Sequence, residues 1–139
     1  MTVALDSNVF IAYLAKEAAF YDSAKLIIGQ IADSKMGAVC SSIVFGELMY
    51  AARKPESLAA VDNFFEQLVH CVDMPASKAI CRRAAALQLT HPGLKLPNAI
   101  HLATAIEAKA DNFITADKRL LTIAKRLLPA TYLNDFRRI

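Results

Sequence analysis

The sequence predicts an α/β fold, a three-layer α/β/α sandwich whose central, mostly parallel sheet has about five strands. Three observations predict it. Short β-type runs alternate with longer helical patterns along all 139 residues, as in a sheet covered by helices on both faces. An apolar content of 55%, with 25 alanines, favours helices that approach one another closely. The run Thr2-Val3-Ala4-Leu5 ends on Asp6, the only charged side chain among the first fifteen residues, at the kind of strand end where open α/β sheets place their ligands.

The elements follow in order. A strand over Thr2–Asp6 leads into a helix over Ser7–Ala15, which Asp6 can cap. A helix over Tyr21–Ser34 precedes a strand over Ala38–Ser41. Helices over Ile43–Arg53 and Pro55–Leu68 come next, with Pro55 in a first turn where its missing N–H costs nothing. A strand at His70–Val72 precedes a helix over Ala76–Thr90. His91-Pro92-Gly93 stops that helix, because Pro disfavours helical geometry just before itself and Gly accommodates a turn. A helix over Pro97–Ala110, a strand over Asn112–Thr115, a helix over Asp117–Leu127 capped by Asp117, and a strand over Thr131–Leu133 complete the chain. No repeat, low-complexity tract or long linker divides it, so residues 1–139 are expected to form a single domain.

Bulk properties narrow the function. No apolar run approaches the roughly 18 residues of a membrane span, and no basic stretch followed by an apolar core marks a secretion signal, so a cytoplasmic location is expected. Cys40, Cys71 and Cys81 are odd in number and follow no short ligand spacing; they read as reduced, buried thiols. The net charge of +3 is uneven. Lys109 to Ile139 carry seven Lys or Arg against three Asp, a balance of +4, which leaves −1 elsewhere. A basic end suits a polyanionic partner, although a solvated charged face accounts for it equally well.

Four polar positions need explaining. Helical neighbours of Glu47 include Ile43, Val44, Tyr50 and Ala51, so its carboxylate projects from a largely apolar face and must be paired, protonated or metal-bound. Arg53, or another cation across a helix contact, is the ordinary candidate for an ion pair. Asp6 and Asp117 could each be simple caps, yet both follow a strand and precede a helix. In a parallel sheet such junctions share one edge, so the two acids can converge. Asn98 opens a helix, where capping is its commonplace role. His101, one turn later, is expected to be a packed or hydrogen-bonded core histidine rather than a ligand. A nucleophile elbow, a Cys–His pair and a phosphate-binding glycine loop are all lacking, and Asn8 stands where a phosphoryl-transfer enzyme would want a second acid.

Leu5-Asp6-Ser7-Asn8-Val9, Ser42-Ile43-Val44-Phe45-Gly46-Glu47-Leu48, Leu96-Pro97-Asn98-Ala99-Ile100-His101-Leu102-Ala103-Thr104-Ala105 and Thr115-Ala116-Asp117-Lys118-Arg119-Leu120 together resemble the four motifs of PIN-domain ribonucleases, most closely the VapC-type toxins of toxin–antitoxin pairs. The resemblance covers essentially the whole chain. It implies a PIN-like sandwich with an acidic pocket holding Mg²⁺ or Mn²⁺, and a metal-dependent endoribonuclease acting on RNA. Asp6, Glu47 and Asp117 match the family's metal-binding acids; Ser7, Asn8 and Thr115 match outer-shell positions that support them. Asn98 departs from the pattern, because the family has an acid there and an amide oxygen is a weaker, uncharged ligand. That departure keeps open a catalytically weak or inactive PIN-like protein that binds RNA or a partner. A homodimer and a small cognate antitoxin seated between helices are further implications, with no membrane involvement. Lys118 and Arg119 flank Asp117 and are the first choices for contacts to RNA phosphates.

Overall fold

The computed structural model describes residues 1–137; Arg138 and Ile139, at the end of the basic segment, lie outside the described residues. Its sheet comprises β1 (Thr2–Leu5), β2 (Gly37–Ser41), β3 (Cys71–Met74), β4 (Asn112–Thr115) and β5 (Ala130–Tyr132). The order is β3-β2-β1-β4-β5, and every pair is parallel. The period-2 alternation of strands sets the two layers. Val3 and Leu5 of β1, Ala38 and Cys40 of β2, and Ile114 of β4 pack into one core; Ala4, Val39 and Phe113 pack into the other.

Helices α1 (Ser7–Leu14), α2 (Tyr21–Ala32), α3 (Ile43–Ala52) and α4 (Ser57–Gln67) cover the first face, centred on Phe10, Ile27 and Val44. Helices α5 (Lys78–Thr90), α6 (Leu96–Glu107) and α7 (Lys118–Ala124) cover the second, centred on Leu102, Phe113 and Leu120. The three-layer parallel sandwich expected from the alternation is therefore the fold. Helix α3 reaches both cores, since Ile43 packs against the second while Val44, Phe45 and Leu48 join the first. Of its apolar residues only Val44 and Leu48 are fully buried, while Ile43, Phe45 and Met49 are half-buried and Tyr50 is exposed.

Several boundaries differ from expectation for local reasons. Asp6 lies beyond β1, because its carboxylate accepts from the Ser7 N–H and caps α1. The third strand runs to Met74 rather than ending at Val72. It is an edge strand, so Asp73 can leave the sheet and accept a hydrogen bond from Ser42 Oγ at 3.2 Å. Pro55 precedes α4 instead of starting it, because turn bonds from Ser57 N to Lys54 O and from Leu58 N to Pro55 O occupy that segment. Helix α5 starts after Ser77, whose hydroxyl accepts from Ile80 N. The last strand ends at Tyr132, and Leu133–Asp135 tightens into a 3₁₀ turn. Cys40 is buried, with a thiol pushed up by its contact with Cys71 and by burial, but Cys81 is exposed on the outside of α5. The expectation of three buried thiols fails there, and also at Cys71, which is half-buried. Among the described residues no helix is long and apolar enough to cross a membrane.

The strand order reverses at β1, with β2 on one side and β4 on the other. Crevices for ligands form outside the carboxyl ends of the strands at such a point. Asp6 stands there.

Candidate active site

Asp6 is 3% exposed, and both of its carboxylate oxygens are held. Oδ1 accepts from the Ser7 backbone N–H at 2.8 Å, which is the α1 cap, with the Ser7 hydroxyl at 3.5 Å. Oδ2 accepts from the Thr115 hydroxyl at 2.7 Å and from Asn8 Nδ2 at 3.0 Å. Burial raises the Asp6 pKa above the ordinary aspartate value. His101, the Thr115 hydroxyl and the Ser7 N–H pull against that rise, and Glu47 adds to it. A carboxylate so placed favours any cation that can reach it.

Thr115, at the end of β4, ties the two sheet-edge acids together. Its hydroxyl donates to Asp6 and accepts from the Asp117 N–H at 3.0 Å and from Asn8 Nδ2 at 3.3 Å. Asn8 Oδ1 in turn accepts from Ala116 N at 3.1 Å. Thus Ser7, Asn8 and Thr115 form one network that fixes Asp6 and the start of the Asp117 turn. Asp117 Oδ1 accepts from Arg119 N at 2.9 Å and Leu120 N at 3.2 Å, so it caps α7.

Glu47 is half-buried rather than enclosed, and its partner is not Arg53, which lies over the Tyr50 ring at 5.2 Å. His101 Nε2 is 2.6 Å from Glu47 Oε1 and 3.7 Å from Asp6 Oδ1. His101 donates to Glu47 when the proton is on Nε2, and Nδ1 is then a buried acceptor without a partner. His101 is indeed a buried core residue, but it also bridges two of the acids, which the sequence reading missed. A signal existed. A lone imidazole sits within a stretch of α6 buried from Ala99 to Ala105, and Glu47 needed a partner.

Asn98 stands apart from this network. It lies inside the first turn of α6, where Lys95 occupies the cap position, so Asn98 is not the cap. It shares with Asp117 a surface cavity of about 280 Å³ that is also lined by Lys95 and Arg119. Lys118, one residue before Arg119, instead places its ammonium 5.3 Å from the Tyr132 ring centroid.

The donor set of Asp6, Glu47, Asp117 and the Asn98 amide is all oxygen, which suits a hard cation. Among the described residues no three carboxylate, imidazole or thiol side chains form a ready cage for a metal. Mg²⁺ keeps several waters and binds through one or two carboxylates, so it does not require such a cage.

The model of the PIN domain family matches residues 3–126. No curated protein sequence matches the chain significantly. Among solved structures, a toxin–antitoxin complex from Klebsiella pneumoniae is similar at 24% identity, covering 86% of this chain and 88% of that one, with a TM-score of 0.61. VapBC2 from Rickettsia felis, bound to a DNA fragment from its promoter, is similar at 20% identity over 95% and 98%, with a TM-score of 0.67. FitAcB from Neisseria gonorrhoeae is similar at 18% identity over 98% and 100%, with a TM-score of 0.60. At these identities the likeness is one of fold.

Proposed function

The chain belongs to the PIN domain family, and from that premise we propose that it is a metal-dependent endoribonuclease of the VapC toxin type, weakened by Asn98. The observation that carries this reading is the placement of Asp6. It is a buried carboxylate at the switch point of the sheet, clamped by Ser7, Asn8 and Thr115 and linked to Asp117 and Glu47 through Thr115 and His101. Such an investment in one buried charge is hard to explain by capping alone, since the Ser7 N–H would satisfy a cap.

A bound Mg²⁺ or Mn²⁺ would neutralise charge on the phosphate oxygens and lower the pKa of an attacking water. Asp6 and Asp117 are the residues that would hold it from the sheet edge, with Glu47 from α3 and the Asn98 amide from α6. The Thr115 hydroxyl keeps Asp6 Oδ2 in place, and the Asn8 amide fixes the Ala116 turn that carries Asp117. His101 holds Glu47 against the same edge. The cognate antitoxin and the homodimer are part of the proposal; the toxin–antitoxin complexes among the similar folds support the former. A second reading, a PIN-like binder of RNA or a partner with little or no catalysis, is favoured by Asn98, whose amide brings no negative charge to the site.

The test compares this chain with Asp6→Ala and Asn98→Asp for Mn²⁺ affinity by calorimetry and for cleavage of a single-stranded RNA. A carboxylate about 4 Å from a divalent ion contributes roughly 2 kcal/mol even in a water-like dielectric. Asn98→Asp is therefore expected to tighten Mn²⁺ by between about one and two powers of ten and to raise the cleavage rate, while Asp6→Ala abolishes both. Cleavage that persists in Asp6→Ala would end the nuclease reading. No metal-dependent cleavage even by Asn98→Asp would leave the binder.

A further inference from the structure

The cavity beside Asn98 and Asp117 differs in charge from the acid cluster it adjoins. Its two cations, Lys95 and Arg119, come from different elements, one from the cap position of α6 and the other from α7. Leu94 and Leu120 are buried, and with half-buried Ile123 they give it an apolar lining. The loop forming one wall is pinned rather than loose. Gln88 Nε2 donates to Leu94 O at 3.1 Å, Leu94 N donates to His91 O at 3.1 Å, and Gly93 makes the turn at φ +92°, a conformation costly for other residues.

A pocket of about 280 Å³ with an apolar lining and two cations lies at the small end of ligand sites and matches one nucleotide in size and chemistry. Phosphate suits the two cations, and the face of an unpaired base suits the apolar lining. The acids nearby repel a polyanion, so a strand can reach Asp6 and Asp117 only if neighbouring cations offset that repulsion. Bases in an A-form duplex are stacked and paired and cannot enter such a pocket, whereas single strands can splay theirs.

We propose that this cavity is the subsite for one nucleotide of single-stranded RNA adjoining the linkage presented to Asp6 and Asp117, with Lys95 and Arg119 taking its phosphate. The proposal deepens the nuclease reading and rests on it. It also divides the expected pair Lys118 and Arg119: Arg119 belongs to the subsite, whereas Lys118 is engaged with Tyr132.

The test measures binding of a labelled, mixed-sequence RNA of roughly 12 nucleotides by fluorescence anisotropy, with chelator present so that neither metal nor cleavage intervenes. The parent should bind the single strand more tightly than a duplex of the same sequence. Lys95→Gln and Arg119→Gln should each weaken binding by about threefold to tenfold. The slope of log affinity against log salt should fall by roughly 0.7 for each phosphate that the protein no longer neutralises. Lys25→Gln, on the far helix α2, should change neither quantity, and unaltered melting temperatures would show that all variants fold. No measurable binding by the parent, a preference for duplex, or an unchanged salt slope in the double variant would overturn the subsite. If binding depends on both cations yet Asn98→Asp cleaves nothing with Mn²⁺, the subsite stands and the nuclease reading falls. If Asp6-dependent cleavage occurs and the double variant binds and cuts like the parent, the nuclease reading stands and the subsite falls.

Discussion

Thr115→Val tests whether the network around Asp6 is more than a set of incidental contacts. The side chain is fully buried, and Val is close to Thr in shape, so the exchange removes a hydroxyl without opening a cavity. Three interactions go with it: the 2.7 Å bond donated to Asp6 Oδ2, and those accepted from the Asp117 N–H and Asn8 Nδ2. A hydrogen bond to a buried carboxylate contributes roughly 1.5–3 kcal/mol, and an orphaned but half-buried N–H can recover part of its loss from water. The net expectation is a destabilisation of about 2–3 kcal/mol at neutral pH without metal. Urea denaturation with a chelator present measures it, and an unchanged m-value would show that the unfolding reaction is the same.

A double-mutant cycle sharpens the assignment. In an Asp6→Ala background the charged acceptor is gone, so Thr115→Val should cost less than about 1 kcal/mol, giving a coupling of roughly 1–2 kcal/mol. A single-variant loss below about 0.5 kcal/mol, or a cycle without coupling, would refute the reasoning. Asp6 would then be held by the Ser7 N–H as a cap, and the outer-shell role assigned to Thr115 would lose its physical basis.

Two other expectations concern stability. Burial raises the folded-state pKa of Asp6 above its unfolded value near 3.8, so between those two values the folded state binds more protons than the unfolded. Metal-free stability relative to Asp6→Asn should therefore fall as pH rises through that window and level off above it; a relative gain with pH in denaturation series would contradict the direction of the shift. Lys109 follows α6 at φ +53° and donates its N–H to Ile106 O, a left-handed helix end that suits glycine. Lys109→Gly should raise stability by about 0.5–1 kcal/mol in thermal melts, and a lower melting temperature would show that the lysine side chain supplies something the backbone does not.

The fold was legible because its punctuation is local. Asp6, Pro92-Gly93 and Asp117 each mark a boundary through their own backbone chemistry, and a parallel sheet follows from the alternation of elements. The shift of β3 was not legible, because Asp73 lowers β-propensity wherever it stands and only the edge position of that strand lets its side chain leave the sheet. Within the site, the link between Asp6 and Asp117 follows from topology alone, since both lie after parallel neighbours. The bridge from His101 to Glu47 does not, because it depends on α3 and α6 crossing the same edge from opposite sides of the sheet. Nor could sequence separate Lys118 from Arg119. Adjacent residues on a helix diverge by about 100°, and only the position of Tyr132 on β5 shows which of the two is already occupied.

Asp6 and Asp117 invite a choice between helix cap and ligand, but the two roles do not exclude one another. Asp6 caps α1 through Oδ1, while Oδ2 is held by Thr115 and Asn8. Asp117 caps α7 through Oδ1 alone. A cap fixes a carboxylate at the junction of strand and helix, with the positive end of the helix dipole supporting its charge. In a parallel sheet that junction is also the ligand edge. Capping thus gives each acid a defined orientation at the place where an ion and a phosphate would have to sit, and it does so without consuming every lone pair. The same logic explains why Asn98 matters more than the single charge it lacks. It lies in the first turn of α6 behind the cap position held by Lys95, so an acid introduced there would gain from the helix end without being fixed as a cap, and a bound ion would add to its hold. Asn98→Asp should therefore gain thermal stability from added Mn²⁺ that the parent does not gain. Equal shifts in melting temperature for the two chains would place that residue outside the site.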